Sequence, residues 1–133
     1  MPARACHSEQ MAHAIEMFFD EHADTAVRAL WQQLATAGLP SLATWTHRRH
    51  RPHVSLTVTG SLDRADLAGQ PVEHWPYYLP GRWVPHCTLA QGLGRDEITE
   101  AFRVLHGYQP ITAQVTSAGI TDTVTGTVTP LTT

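Results

Sequence analysis

The phrase Pro-His-x-[Ser/Thr]-Leu occurs twice in this chain, as Pro52-His53-Val54-Ser55-Leu56 and as Pro85-His86-Cys87-Thr88-Leu89. It constrains the fold because each copy carries the alternation of a half-buried strand. Val54, Leu56 and Val58 alternate with polar residues, as do Cys87 and Leu89, and side chains two apart share a strand face. His53 and Ser55 are therefore expected on one face, with Val54 and Leu56 toward a core; His86 and Thr88 follow the same rule. With 9 His, 9 Pro, 12 Leu and 22 Ser plus Thr in 133 residues, a random sequence of this composition yields about 0.01 matches to the phrase. The two copies supply two histidines, each with a hydroxyl two residues on, and two positioned imidazoles suit paired acid–base chemistry.

Around these phrases the chain reads as strands and helices in mixed order. Residues 1–10 show no period and are expected to be a flexible leader to a single domain over 11–133. Ala12 to Phe19 reads as a strand, with Asp20 or Asp24 able to cap the helix that follows. Val27, Leu30, Trp31 and Leu34 form an i, i+3, i+4, i+7 stripe, and Gly38 and Pro40 stop that helix. Leu42 to His47 reads as a short strand. Pro52 opens the first motif strand, where no ladder N–H is needed, and Gly60 ends it. Asp63 to Ala68 allows a short helix, and 72–83 is aromatic and Pro-rich. The second motif strand is expected from Val84 to Gln91. Asp96 to His106 reads as an amphipathic helix with Ile98, Ala101, Phe102 and Leu105 inside, and Pro110 to Pro130 as a Thr-rich hairpin around Gly126. This order predicts an α+β fold with helices packed on a largely antiparallel sheet.

Composition narrows the function classes. A net charge of −3 gives no global attraction to nucleic acid, so any such contact needs a local patch. All nine basic side chains are Arg; Arg48, Arg49 and Arg51 precede the first phrase and Arg82 the second. The two cysteines, Cys6 and Cys87, make no disulfide framework and are expected to be reduced, as in a cytoplasmic protein. No apolar run approaches the length of a membrane span, and the leader lacks the apolar stretch of a signal peptide. No glycine-rich phosphate loop is present. His47, His50 and His53 are three apart, but Pro52 argues against the helix that would align them as metal ligands, and His47 and His50 are then expected on different strand faces.

The paired phrases resemble the His-x-Thr/Ser motifs of the two-histidine phosphoesterase superfamily, the 2′-5′ RNA ligase-like proteins. The likeness extends over nearly everything after residue 10: Met11 to Leu42 resembles that family's opening strand and helix. Arg48 to Pro52 and Trp75 to Val84 resemble the approaches to the motifs, and Ile111 to Leu131 the closing hairpin. The resemblance implies a bilobed fold and a hydrolase of 2′,3′-cyclic phosphates on RNA ends or nucleotides, without metal or cofactor. One of His53 and His86 is then the base and the other the acid, in an order the sequence does not decide, and the hydroxyls of Ser55 and Thr88 donate to phosphate oxygens. Arg51 and Arg82 are candidates to clamp the phosphate, and Tyr77, Tyr78 and Trp83, Tyr78 foremost, to stack a base. The partners so implied are an RNA 3′ end or a small cyclic nucleotide phosphate, and no membrane. One feature departs from the family: His53 and His86 are only 33 positions apart, so one lobe is expected to be trimmed. That departure keeps a non-catalytic nucleotide- or RNA-end-binding module, or an inactive remnant, as the alternative. A trimmed sheet exposes an edge, and a C2 homodimer contacting through Trp75, Tyr77, Tyr78 and Leu79 is the expected cover.

Overall fold

The computed structural model describes residues 12–59 and 81–131. The element order is β1 (His13–Phe19), α1 (Glu21–Thr36), β2 (His53–Thr59), α2 (Arg95–Val104), β3 (Val115–Asp122) and β4 (Val128–Pro130). The strands form one four-strand antiparallel sheet in the order β2-β1-β3-β4, and with the two helices this is an α+β fold. The expected leader, the helix at 63–68, the aromatic stretch at 72–80, Cys6 and Tyr78 lie outside the described residues.

The chain divides into two compact units, each built from three or two stretches of sequence. The first comprises 1–17, 54–86 and 117–133. Its core is Ala12, Ala14 and Val58. Ala12, just before β1, and the alternate β1 residues Ala14 and Glu16 are buried in this unit, so the strand period is obeyed with a carboxylate on the buried side. That carboxylate accepts a hydrogen bond from the Thr121 hydroxyl at 2.8 Å, which offsets the cost of burying it. Gly119, Ile120 and Thr121 of β3 pair with Pro130, Thr129 and Val128 of β4. Gly126, at φ +78°, makes the turn between them where a side chain would be strained.

The second unit comprises 18–53 and 87–116. Helix α1 begins at Asp20, whose carboxylate accepts from the Ala23 N–H at 3.3 Å and from the Gln114 N–H at 2.7 Å. The N–H of Gln114, and secondarily that of Ala23, holds the Asp20 carboxyl below the usual carboxylate range. Val27, Leu30, Trp31 and Leu34 are buried, as the helical stripe predicts. Trp31 and Val27 pack with Leu42, Trp45, Cys87 and Leu89; Leu34 packs with Leu39, Ala101 and Leu105. Gly92, at φ +72°, passes so close to the Trp45 ring that an added Cβ would lie 2.9 Å from it, so only glycine fits.

Four expectations are corrected. The strand expected over Leu42 to His47 is a run of turns. The buried Ser41 directs it: its hydroxyl accepts from the Ala43 N–H, and its carbonyl accepts from the N–H and hydroxyl of Thr44. Such local bonds satisfy the groups that a ladder would use. The second motif, expected as a strand over 84–91, is not a strand. Pro85 offers no N–H, and the carbonyls of Thr88 and Leu89 accept from the Trp31 indole and the Leu42 N–H. Finally, α2 buries Ala101, and Leu105 just past its end is half-buried, while Ile98 is 45% and Phe102 77% exposed. The helix meets α1 through a small residue, which leaves the larger pair outside that contact. In β2, Val58 is buried but Leu56 is 41% exposed, so the inward face expected of that strand is only partly covered.

Candidate functional site

Each copy of the repeated phrase can be followed from its proline. In the first, buried Pro52 precedes β2, and His53, the opening residue of the strand, is half-buried. Its Nδ1 lies 2.5 Å from the carbonyl oxygen of Arg51. A carbonyl only accepts, so Nδ1 carries the proton and Nε2 is the unprotonated nitrogen of the neutral ring. In the second copy His86 is exposed, and its Nδ1 lies 2.8 Å from the carbonyl of Val84. The same bond, from a ring to the carbonyl two residues back, fixes the same tautomer in both.

The hydroxyl residues repeat a second contact. The Ser55 carbonyl accepts from the Trp83 indole N–H at 2.8 Å, and the Thr88 carbonyl from the Trp31 indole N–H at 3.3 Å. The two indole donors come from different places, Trp83 from the approach to the second motif and Trp31 from the buried face of α1. Trp31 is legible in the sequence as a member of the helical stripe, but its bond to Thr88 is not, because 57 residues separate them. Nothing in the sequence marks Trp83 as a partner of Ser55.

The unit boundary passes through both phrases. His53, Cys87 and Thr88 belong to the second unit, Ser55 and His86 to the first. Of the substrate-binding candidates, Arg51 is exposed, with its guanidinium carbon 4.0 Å over the Phe18 ring, a cation–π contact that anchors the side chain. Arg82 is exposed in the first unit.

The histidines ahead of β2 form a short stack. The His47 and His50 rings are 4.2 Å apart, and the His50 and His53 rings 6.5 Å apart and nearly parallel. Placement of His47 and His50 on opposite faces is thereby overturned: the segment is not a strand but turns, and the rings meet. Burial, then the neighbouring His47 and His53, pushes His50 down to about 4, so it is neutral at ordinary pH. The Thr46 hydroxyl lies 3.1 Å from His50 Nε2, and His47 Nδ1 accepts from the Arg49 N–H at 2.9 Å. Among the described residues no group of three or more His, Cys, Asp or Glu is placed to hold a metal ion.

Behind the second phrase, inside the second unit, is an apolar cavity of about 650 Å³ between Val27, Leu30, Leu89, Phe102, Tyr108 and their neighbours. Cys87 also lines it, and burial pushes the Cys87 thiol up, against the opposing pull of the His53 backbone, so the thiol stays protonated. The sequence marks no site there, because Phe102 and Leu105 have the spacing of ordinary core residues. Among the described residues no helix is long and apolar enough to cross a membrane. Compared with known proteins, the chain matches no family model, no curated protein and no solved structure.

Proposed function

We propose that the chain is a metal-independent phosphoesterase that opens 2′,3′-cyclic phosphates of RNA ends or nucleotides with His53 and His86 as its acid–base pair. The observation that carries the reading is the repeated phrase together with its repeated hydrogen bond. Each imidazole donates through Nδ1 to the carbonyl two residues back, which leaves Nε2 as the basic nitrogen of the neutral ring in both copies. In the reaction, one neutral Nε2 takes a proton from water as its oxygen bonds to phosphorus. The other histidine, protonated, gives its Nε2 proton to the ribose oxygen as the phosphorus–oxygen bond breaks. Ser55 and Thr88 hydroxyls stabilise the charge that builds on the phosphate oxygens. Arg51 and Arg82 are the proposed phosphate clamps, and Tyr78 the proposed base-stacking residue.

The short separation of the two motifs favours a second reading, a module that binds nucleotides or RNA ends without turnover. One assay separates the two: hydrolysis of 2′,3′-cyclic nucleotides and cyclic-phosphate RNA ends, with chelator present, by wild type, His53→Ala and His86→Ala. Turnover that survives chelation and falls in both variants supports the enzyme. Binding without turnover supports the module. A cytoplasmic location and a C2 homodimer belong to the same proposal; light scattering across a concentration series reads the dimer.

A further inference from the structure

Net charge hides a local concentration of cations. The chain carries −3 overall, yet three of the four residues at 48–51 are arginines. All three are exposed. Elsewhere in the described structure two arginines hold carboxylates: Arg28 bonds Asp24 at 2.5 Å, and Arg103 bonds Glu100. Among the described residues no carboxylate is within ion-pair distance of Arg48, Arg49 or Arg51.

The backbone of this loop is held in a conformation its residues do not favour. Thr46 has φ +48° and Arg48 φ +62°, and both are left-handed without being glycine. Each such residue costs about 1 kcal/mol or more, and a β-branched residue there is an outlier. The loop is pinned in that shape by the Arg48 N–H on the Trp45 carbonyl at 3.0 Å, the Arg49 N–H on His47 Nδ1 at 2.9 Å, and Thr46 against His50. Glycine at position 48 would relieve the strain, yet a long cation stands there with no carboxylate partner among the described residues. Because His50 stays neutral, the loop's fixed charge is that of its guanidiniums.

We propose that loop 46–51 is a docking strip for the phosphodiester backbone of single-stranded RNA, with Arg48 and Arg49 holding phosphates that adjoin the one reaching His53. This rests on the phosphoesterase reading and extends it, because it makes an oligonucleotide rather than a mononucleotide the preferred substrate. The chemistry favours a polyanion with spaced charges. Guanidiniums pair with phosphate oxygens through two parallel N–H bonds, and adjacent arginines on a fixed backbone present those forks at set positions. The half-buried rings of His47 and His50 lie on the same loop, and flat rings interleaved with cations suit unpaired bases and their backbone.

The test uses the whole chain with a labelled RNA of about ten nucleotides ending in a 2′,3′-cyclic phosphate, compared with a 2′,3′-cyclic mononucleotide. The variants are Arg48→Gly, Arg49→Ala and the pair. Glycine suits the backbone at 48, so Arg48→Gly should melt at or above the wild-type temperature, and its binding is then read on folded protein. In the double variant RNA affinity should fall about tenfold or more, and the slope of log affinity against log salt should shrink by about 1.4, since each phosphate contact on a single strand accounts for about 0.7. The ratio of oligonucleotide to mononucleotide kcat/KM should fall with it. Arg49→Lys, which keeps a point charge, should recover part of the affinity. An unchanged RNA affinity and salt slope overturns the strip and leaves the phosphoesterase reading standing. Equal losses on RNA and mononucleotide also overturn it, because the arginines then serve the reacting phosphate alone. Arginine-dependent binding to phosphatidylserine vesicles without binding to RNA assigns the loop to a lipid surface instead. If wild type binds RNA through these arginines but hydrolyses no cyclic phosphate, the strip stands and the enzyme reading falls.

Discussion

The two copies of the repeated phrase share a sequence but not a setting. The first copy opens a strand: Pro52 is buried, His53 half-buried, and 53–59 joins the sheet. The second lies outside any strand or helix, with Pro85 and His86 exposed. Yet both make the same two bonds, from the ring to the carbonyl two residues back, and from an indole to the carbonyl of the hydroxyl residue. The ring bond spans only two residues, so the local sequence suffices to form it. The ladder requires a neighbouring strand, which the phrase does not carry. A short motif can thus fix the tautomer of its histidine without fixing the secondary structure around it.

The sharpest way to break this equivalence is to remove each ring. His53→Ala and His86→Ala should each lower cyclic phosphodiesterase turnover roughly 10²–10⁴-fold. The wild-type rate should follow a bell-shaped pH profile, since one ring must be neutral and the other protonated. Full turnover in either variant ends the idea that the copies act as a pair. Stability should divide them too. Trp31 is only 1% exposed, so Trp31→Ala should cost about 3–5 kcal/mol in denaturant unfolding. A cost below 1 kcal/mol would mean that the second copy does not depend on this buried indole.

A smaller effect belongs to the first copy alone. His50 has a folded pKa of about 4, below the unfolded value near 6.5. The unfolded chain therefore binds the proton first, and stability is lost as pH falls from about 6.5 toward 4. After allowance for its partial exposure, the loss should be about 1–2 kcal/mol. His50→Asn should flatten that part of the stability curve; an unaltered pH dependence would locate the titration elsewhere. Smallest is Trp83→Phe, which keeps most of the ring and deletes the bond to Ser55. It should cost about 0.5–1.5 kcal/mol, less than Trp31→Ala, and a reversed order would show that the first copy is the one held by its indole.

Much of the frame was legible in the chain. The strand at 13–19, the Asp20 cap, the buried stripe of α1, the strand at 53–59, the helix after residue 94 and the hairpin at Gly126 all follow from period, capping and turn chemistry. These signals act within about one or two turns of chain, where sequence spacing and spatial spacing agree. The repeated ring-to-carbonyl bond lies within the same range.

What the sequence could not decide depended on partners far along the chain. Strand alternation at 84–91 was present, but a strand exists only where another strand supplies the ladder, and here side-chain and loop donors supply the bonds instead. The helical stripe of α2 named Ile98 and Phe102 as core, yet which part of a stripe is covered depends on where the facing helix lies, and that contact falls on Ala101. The 42–47 segment had strand-forming residues, but the buried hydroxyl of Ser41 drew its backbone into turns. Local sequence determined the histidine tautomers and the element order. Tertiary packing decided which apolar faces were buried, which segments became strands, and that an arginine loop with no carboxylate partner among the described residues would stand beside the first motif.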